Sequence, residues 1–166
     1  MTATRGTQAP AHAVQGTGSA FAGLATRMIA FAADALVINA VALFVAFVVA
    51  AGMSMLHVPD QLRTIAAAVG AALAVLWAIG YFVFFWAADG QTPGNRMMGI
   101  RVEDAAAAGP LRARRALVRV LLLPVSALPL FAGYLVILVD RRRRALHDRV
   151  VRSVVVYAPE LRRRIR

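Results

Sequence analysis

The sequence predicts an all-α membrane protein with two full transmembrane helices, a proline-broken third hydrophobic segment, and a small cytoplasmic pairing of β-strands. Three observations lead to this fold class. Of the 166 residues, 60% are hydrophobic and the mean hydropathy is +0.67, whereas soluble domains contain roughly 45–50% apolar residues. The apolar residues are concentrated in long runs, and the arginines gather between and after these runs.

Residues 1–20 are rich in Thr, Ala and Gly, and we predict a disordered N-terminal tail. The apolar run that follows is far longer than the roughly 7–15 residues of a signal-peptide core, which predicts an uncleaved first span. Residues 21–157 are predicted to form the membrane domain, and residues 158–166 form a basic C-terminal tip.

The first predicted span covers residues 27–51. Between residues 28 and 51 the only polar side chains are those of Asp34 and Asn39. A helix of this length is about 36 Å long, enough to cross a hydrocarbon core of about 30 Å. A carboxylate inside such a span costs about 2.5–3.5 kcal/mol. Asp34 is therefore expected to have either a partner or a function.

The second predicted span covers residues 64–88. Small residues recur on one stripe of this helix, where another helix could pack closely: Ala66, Gly70, Ala74 and Ala78. Aromatic residues crowd its far end and predict a belt at the membrane–water interface: Trp77, Tyr81, Phe82, Phe84, Phe85 and Trp86.

The arginine-rich connection that follows predicts a short strand near residues 100–103 and a basic amphipathic helix over residues 111–120. The third hydrophobic run, residues 120–139, contains Pro124 and Pro129, which disrupt a straight helix. The run is either a re-entrant hairpin or a third span. A strand over residues 152–157 is expected to pair with the first strand.

The charge pattern predicts the orientation. The net charge is +11 and all 19 basic residues are arginines. The N-terminus, second loop and C-terminus are predicted to be cytoplasmic, because positive loops stay on that side. This rule favours the hairpin, since a straight third span would separate the arginine-rich loop from the arginine-rich tail. Arginines that flank apolar runs suit anionic lipid headgroups rather than nucleic acid.

Several kinds of chemistry are not expected. The chain has no cysteine, so disulfides and thiolate metal sites are excluded. Its three histidines are too scattered to predict a metal site, and His147 is expected at the surface. We find no catalytic constellation in the sequence and therefore predict neither an enzyme nor a cofactor.

Three separate blocks resemble the RDD family of bacterial multi-pass membrane proteins, which is named for one arginine and two aspartates. The first is Arg27 with Asp34. The others are G-Q-T-P-G-N-R-M-M-G-I-R-V-E-D over residues 90–104 and D-R-R-R-R-A-L-H-D-R over residues 140–149. The resemblance covers about residues 20–157. It implies a multi-pass protein of the bacterial inner membrane, in a family that is largely uncharacterised.

The resemblance assigns the family arginine to Arg27, the first aspartate to Asp34 and the second to Asp148, with Asp140 as the less favoured choice. The chain departs from the family pattern at two positions. Asn95 stands where lysine is frequent, and Arg152 stands where a small residue, commonly glycine, is found. The first change removes a positive charge from the loop and the second adds one to the tail, which leaves exact ligand contacts in that loop open.

The candidate ligand or ion-binding residues are Asp34, Arg27 and Asp148. A carboxylate removed from water suits reversible binding of a proton or cation, but Asp34 could equally form a structural hydrogen bond or an ion pair. Arg27 could instead extend to the lipid headgroups. Asp148 could neutralise nearby arginines or cap the terminal strand. The candidates for a charge network or for lipid binding are Asp140, Arg141, Arg142, Arg143, Arg144, Arg96 and Arg101.

The predicted function is transport of a small ion or ligand, linked to a proton or cation at Asp34. Two or three spans hardly enclose a pathway, so a homo-oligomer or a membrane-protein partner is expected. The alternative function is a non-catalytic membrane adaptor or assembly subunit of a larger complex. A third hypothesis is recognition of anionic lipid headgroups by the arginine-rich segments.

Overall fold

The computed structural model describes residues 21–107, 109–127 and 144–158, without the side chains of residues 125–127. The described chain is mostly helical. The helices are α1 (Leu24–Met55), α2 (Asp60–Ala88), α3 (Pro93–Met97), α4 (Ala113–Ala127) and α5 (Leu146–Val150), and the strands are β1 (Ile100–Asp104) and β2 (Ser153–Tyr157).

Four predictions concern residues outside this described part. They are the disordered tail over residues 1–20, the second half of the third hydrophobic run, the charged residues 140–143, and the C-terminal tip beyond Ala158.

Helices α1 and α2 are long and apolar enough to cross a membrane. They contain 32 and 29 residues, which correspond to about 48 and 44 Å of helix. Each therefore exceeds a hydrocarbon core of about 30 Å. Both helices begin before the boundaries predicted from the sequence, and α1 also extends beyond its predicted end at residue 51.

The two long helices run antiparallel and touch near one end. The Phe31 ring near the start of α1 stacks on the Phe82 ring near the end of α2, with centroids 5.7 Å apart. The buried residues of both helices lie at this end: Ala30, Asp34 and Ile38 of α1, and Tyr81, Phe82 and Trp86 of α2. Towards the other end large apolar side chains such as Leu43 and Phe47 are exposed, as expected for surfaces that face lipid.

The aromatic belt prediction is wrong for three of its rings. Tyr81, Phe82 and Trp86 are buried in the core, whereas Trp77 and Phe84 are exposed. Phe82 packs against α1, and the guanidinium group of Arg119 on α4 lies over the Trp86 ring. At this end of the helix pair, these three rings therefore pack inside the protein and do not face the membrane–water interface.

A small module covers the same end of the helix pair. Strands β1 and β2 form a two-stranded antiparallel sheet in which Ile100 lies opposite Tyr157 and Asp104 opposite Ser153. The Ala22 N–H, just before α1, donates to the carbonyl of Val155 at 2.9 Å. Three distant parts of the chain therefore meet in one structure: the start of α1, the connection after α2, and the segment after α5.

The connection between α2 and β1 depends on a glycine. Gly90 has a φ of +74°, and its carbonyl accepts the Val102 N–H at 2.8 Å. A Cβ at Gly90 would lie 2.4 Å from the Val102 carbonyl oxygen. Only glycine fits both this conformation and this close approach.

Helix α4 differs from the sequence prediction. Instead of a helix that ends at residue 120 before a separate segment, one continuous helix passes through Val120 and contains Pro124. A proline this late in the helix removes a single hydrogen bond, which packing against α2 can offset. Arg119 and Val120 are buried, so this face of the helix contacts protein rather than the membrane interface.

Arg152 adopts a left-handed backbone conformation, with a φ of +54°. This region costs an L-residue roughly 1–2 kcal/mol and costs glycine little. This difference in cost explains why glycine suits position 152. We expect Arg152→Gly to stabilise the protein by about 1 kcal/mol, which raises the thermal midpoint by roughly 2–4 °C. Thermal unfolding in detergent measures the change.

Arg152→Ala is the matched control, because it removes the same side chain and charge but keeps the Cβ that disfavours this conformation. If Arg152→Gly and Arg152→Ala raise the thermal midpoint equally, the loss of charge explains the increase and the backbone argument is wrong.

Candidate functional site

Two aspartates are fully buried at the end where the helices meet the small module. Asp34 is 2% exposed and Asp148 is 0% exposed. A buried carboxylate must find hydrogen-bond donors and a compensating charge, or the fold loses several kcal/mol. The two aspartates meet this requirement in different ways.

Asp34 lies on α1 and accepts three hydrogen bonds. The Tyr81 hydroxyl of α2 donates to Oδ1 at 2.9 Å, and the Gly94 N–H of α3 donates to the same oxygen at 2.8 Å. The Thr92 hydroxyl donates to Oδ2 at 2.5 Å. The carboxylate thus connects both long helices to the turn that follows α2.

The T-P-G sequence at residues 92–94 shapes this turn. The Thr92 oxygen caps α3 by accepting the Asn95 N–H at 3.1 Å, so its own hydrogen can point to Asp34. Pro93 occupies the first turn of the helix, where its missing N–H costs nothing. A Cβ at Gly94 would lie 2.1 Å from the Ala30 carbonyl oxygen, so glycine is needed for the turn to approach α1.

All three donors to Asp34 are neutral groups. Among the described residues no arginine or histidine forms an ion pair with Asp34. Hydrogen bonds from hydroxyl and amide groups satisfy the carboxylate oxygens, but they do not balance a negative charge. Asp34 is therefore a buried acid that is well hydrogen-bonded and lacks a counter-ion within the described chain.

Asp148 lies on α5 and has two cationic partners. Arg27 of α1 donates from Nη1 to Oδ2 at 2.5 Å, and Arg119 of α4 approaches Oδ1 with Nη2 at 2.9 Å. The Ala145 N–H, at the start of α5, also donates to Oδ2 at 3.1 Å, and the Ser153 hydroxyl of β2 donates to Oδ1 at 3.2 Å. One carboxylate therefore joins α1, α4, α5 and β2.

Arg119 is held in place by further contacts. Its Nη1 donates to the Ser153 oxygen at 2.9 Å, and its guanidinium carbon lies 4.6 Å from the centre of the Trp86 ring. The cation–π contact with a buried tryptophan stabilises the charge away from water. Arg119 thus connects the Asp148 cluster with the end of α2.

The charges around Asp148 set its protonation state. Burial by itself raises the pKa of Asp148, but the guanidinium groups of Arg119 and Arg27 outweigh it and hold the pKa well below its usual range. Burial lowers the pKa of His147 to about 4; Asp148 opposes this shift, whereas Arg119 and Arg27 add to it. At neutral pH the cluster therefore contains a charged Asp148 and a neutral His147.

The prediction of a surface position for His147 is wrong. Its side chain is 3% exposed, and its Nε2 lies 3.6 Å from Oδ1 of Asp148. This burial was not predictable from the residue pattern, because a histidine among charged residues usually faces water.

The structure brings Arg27 and Asp148 together, whereas Asp34 binds elsewhere. Arg27 does not extend to headgroups: it is largely buried and also donates from Nε to the Ala22 carbonyl at 3.3 Å. Arg96 pairs with Asp89, and Arg101 donates to Gln91 at 3.5 Å, so both lie apart from the two buried aspartates. Arg144 is half-buried just before α5.

Sequence reasoning missed five residues of the site: Tyr81, Thr92, Gly94, Arg119 and Ser153. The T-P-G sequence did contain a usable signal, since threonine before proline is typical of a helix start. The sequence around Arg119 contained no such signal, because arginine on an amphipathic helix normally faces solvent or lipid.

A cavity of about 570 Å³ borders both aspartate clusters. Its wall is mainly apolar and comes from α1, α2 and α4. Four polar side chains also reach it: Arg27, Asp34, Asn95 and His147. The Trp86 indole N–H, on the same wall, has no hydrogen-bond partner among the described residues.

Two helices able to cross a membrane, with charged residues buried where they meet, define the class as a membrane protein. The sequence model of the RDD family matches residues 21–152. The chain therefore belongs to the RDD family, as its three sequence blocks predicted, and the match includes Arg27, Asp34 and Asp148. No curated protein and no solved structure gives a match.

The lowered pKa of His147 predicts how stability depends on pH. Below pH 6.5 the unfolded chain binds a proton at His147 that the folded chain does not bind until about pH 4. Stability is therefore lost as pH falls through this window, by up to about 3 kcal/mol. Protonation of Asp148 reduces the stability further, but only at lower pH.

We expect His147→Gln to flatten the fall in thermal midpoint between pH 6.5 and 4, because glutamine cannot take up the proton. His57→Gln, which removes an exposed histidine of the first loop, is the control and should keep the full fall. An unchanged pH profile in His147→Gln would show that other groups cause the loss.

Proposed function

We propose that this RDD family membrane protein transports a proton or a small cation, and that Asp34 is the binding carboxylate. One observation carries the proposal: Asp34 is buried, receives only neutral hydrogen bonds within the described chain, and borders a cavity of about 570 Å³.

The missing charge is the physical reason. An ionised carboxylate in a low-dielectric site is costly without a positive charge nearby. A bound proton or small cation supplies that charge. The oxygens of Tyr81 and Thr92 lie beside the carboxylate, and hydroxyl and carboxylate oxygens suit hard cations. The Gly94 N–H keeps the carboxylate in position in either state.

Asp148 serves as the contrast. Two arginines already balance its charge, so a further cation gains little there. We assign Arg27 and Asp148 a structural role that holds the module against α1, and we keep ion binding for Asp34 alone.

The proposal includes a homo-oligomer. The two candidate spans within the described residues do not surround a pathway, so several copies are needed. The small-residue stripe of α2 supports this arrangement, because a Cβ added at Gly70 would meet nothing within 4 Å. A neighbouring helix could therefore approach closely at this stripe.

We further propose that the module and both chain ends lie in the cytoplasm. The pairing of β1 with β2 and the bond between Ala22 and Val155 support a common side for the second loop, the start of α1 and the tail. The abundance of arginine in these segments favours the cytoplasmic side. This arrangement also favours the re-entrant hairpin over a third span.

Cysteine labelling tests the topology, because the chain has no native cysteine. A membrane-impermeant maleimide applied to spheroplasts should label His57→Cys in the first loop. It should label Ala106→Cys in the second loop and Leu146→Cys in α5 only after permeabilisation. Labelling of Ala106→Cys and Leu146→Cys from opposite sides would contradict the proposal.

Ion flux tests the function. Proteoliposomes with an imposed pH gradient should show gradient-dependent sodium or potassium flux, measured with a fluorescent indicator. We expect Asp34→Asn to remove this component, because the amide keeps one acceptor oxygen, which can receive the Tyr81 and Gly94 hydrogen bonds, but cannot bind a proton or balance a cation.

Asn39→Ala is the matched control. Asn39 lies on the same helix, and its amide donates only to the Ala35 carbonyl of that helix, at 2.7 Å. Flux should be unchanged in this variant. Equal flux in wild type and Asp34→Asn, with both proteins folded, would contradict the role of Asp34, and no flux in the wild type would contradict transport.

The alternative function is a membrane adaptor or assembly subunit. Its support is the exposed apolar surface of α1 and α2 away from the module. Lipid covers such a surface as well as a protein partner does, so this observation favours the adaptor less than the buried carboxylate favours transport. A wild-type protein that folds but carries no ion would make the adaptor the better explanation.

A further inference from the structure

A second cavity, of about 420 Å³, is lined by arginines and lies away from the two buried aspartates. Four of its residues are Arg112, Arg114, Arg115 and Arg152. Arg112 immediately precedes α4, Arg114 and Arg115 belong to its first turn, and Arg152 belongs to the turn between α5 and β2. We call it the arginine cavity. None of these residues takes part in the proposed ion site or was among the lipid-binding candidates from the sequence.

The positive charge of the arginine cavity is largely unbalanced. Arg115 pairs with Asp104, but no acidic side chain within the described chain forms an ion pair with Arg112, Arg114 or Arg152. The first turn of α4 contains no acidic residue, so the positive end of the helix dipole adds to the same potential. Such a concentration of like charge is stabilised by a bound anion.

The position of the cavity indicates which anion. Leu111, next to Arg112, donates its N–H to the carbonyl of Trp86 at 3.2 Å, and Trp86 lies two residues before the end of α2 at Ala88. The cavity is therefore level with the end of a candidate span, where lipid headgroups lie.

Apolar side chains continue from the cavity towards the membrane. Val118 and Val150 line it. Leu121, one turn further along α4, is exposed, as Val150 is. A lipid needs this combination of a basic pocket for its phosphate and an apolar surface for its acyl chains, whereas a free phosphate needs only the former.

We propose that the arginine cavity binds the phosphate of an anionic phospholipid headgroup. Guanidinium groups recognise phosphate oxygens with paired hydrogen bonds. The exposed apolar residues beside the cavity contact the acyl chains. This site is independent of ion transport at Asp34.

Isothermal titration calorimetry on the full chain in detergent tests the proposal. The probes are short-chain phosphatidylglycerol, phosphatidylcholine of the same chain length, and inorganic phosphate. We expect phosphatidylglycerol to bind more tightly than both of the others. Arg112→Gln/Arg114→Gln should weaken its binding roughly 30-fold, because two charges are lost.

Two further variants separate the site from general charge and from misfolding. Arg63→Gln/Arg96→Gln removes the same charge from arginines outside the cavity and should leave binding within about twofold of wild type. Arg112→Lys/Arg114→Lys keeps the charge and should retain most of the binding.

Equal binding of phosphatidylglycerol and phosphatidylcholine would overturn the proposal. Equally tight binding of inorganic phosphate would assign the cavity to a soluble anion instead of a lipid. If Arg63→Gln/Arg96→Gln weakened phosphatidylglycerol binding as much as Arg112→Gln/Arg114→Gln does, net charge and not this cavity would attract the lipid.

Discussion

The ion pairs of Asp148 with Arg27 and Arg119 are the interaction on which the rest of the structure depends. They join the start of α1 to α4 and, through Ser153, to β2. Removing one partner of such a buried pair costs about 3–5 kcal/mol, because the remaining charge is left without compensation. Arg27 and Asp148 thus act together, although 121 residues separate them in the sequence.

Among the described residues, the charges at the two aspartate sites balance in number but not in position. Two arginines, Arg27 and Arg119, surround Asp148, whereas Asp34 has neutral donors only. Arg27 and Asp34 lie about 10 Å apart along α1. At that distance the excess positive charge at Asp148 partly stabilises the charge of Asp34. It does not fill the space beside Asp34, which borders the cavity of about 570 Å³.

Local features of the chain were predictable from the sequence, and its distant contacts were not. Apolar runs predicted the two candidate spans, and β-branched residues indicated the strands that form the β1–β2 pair. The partners of Asp34 come from 47 and 58 residues away, and nothing in the spacing reveals them. Arg119 belongs to the predicted basic amphipathic helix and His147 was expected at the surface, but tertiary contacts bury both.

The two aspartate sites are connected by contiguous contacts. Thr92 holds Asp34 and begins α3, and α3 leads directly into β1. β1 pairs with β2, whose first residue, Ser153, donates to Asp148. A shift of Thr92 would move α3 and strain a strand pair that Ser153 connects to Asp148 and its two arginines. The module therefore limits how far the turn can move, and the ionic cluster at Asp148 helps to hold Asp34 in position.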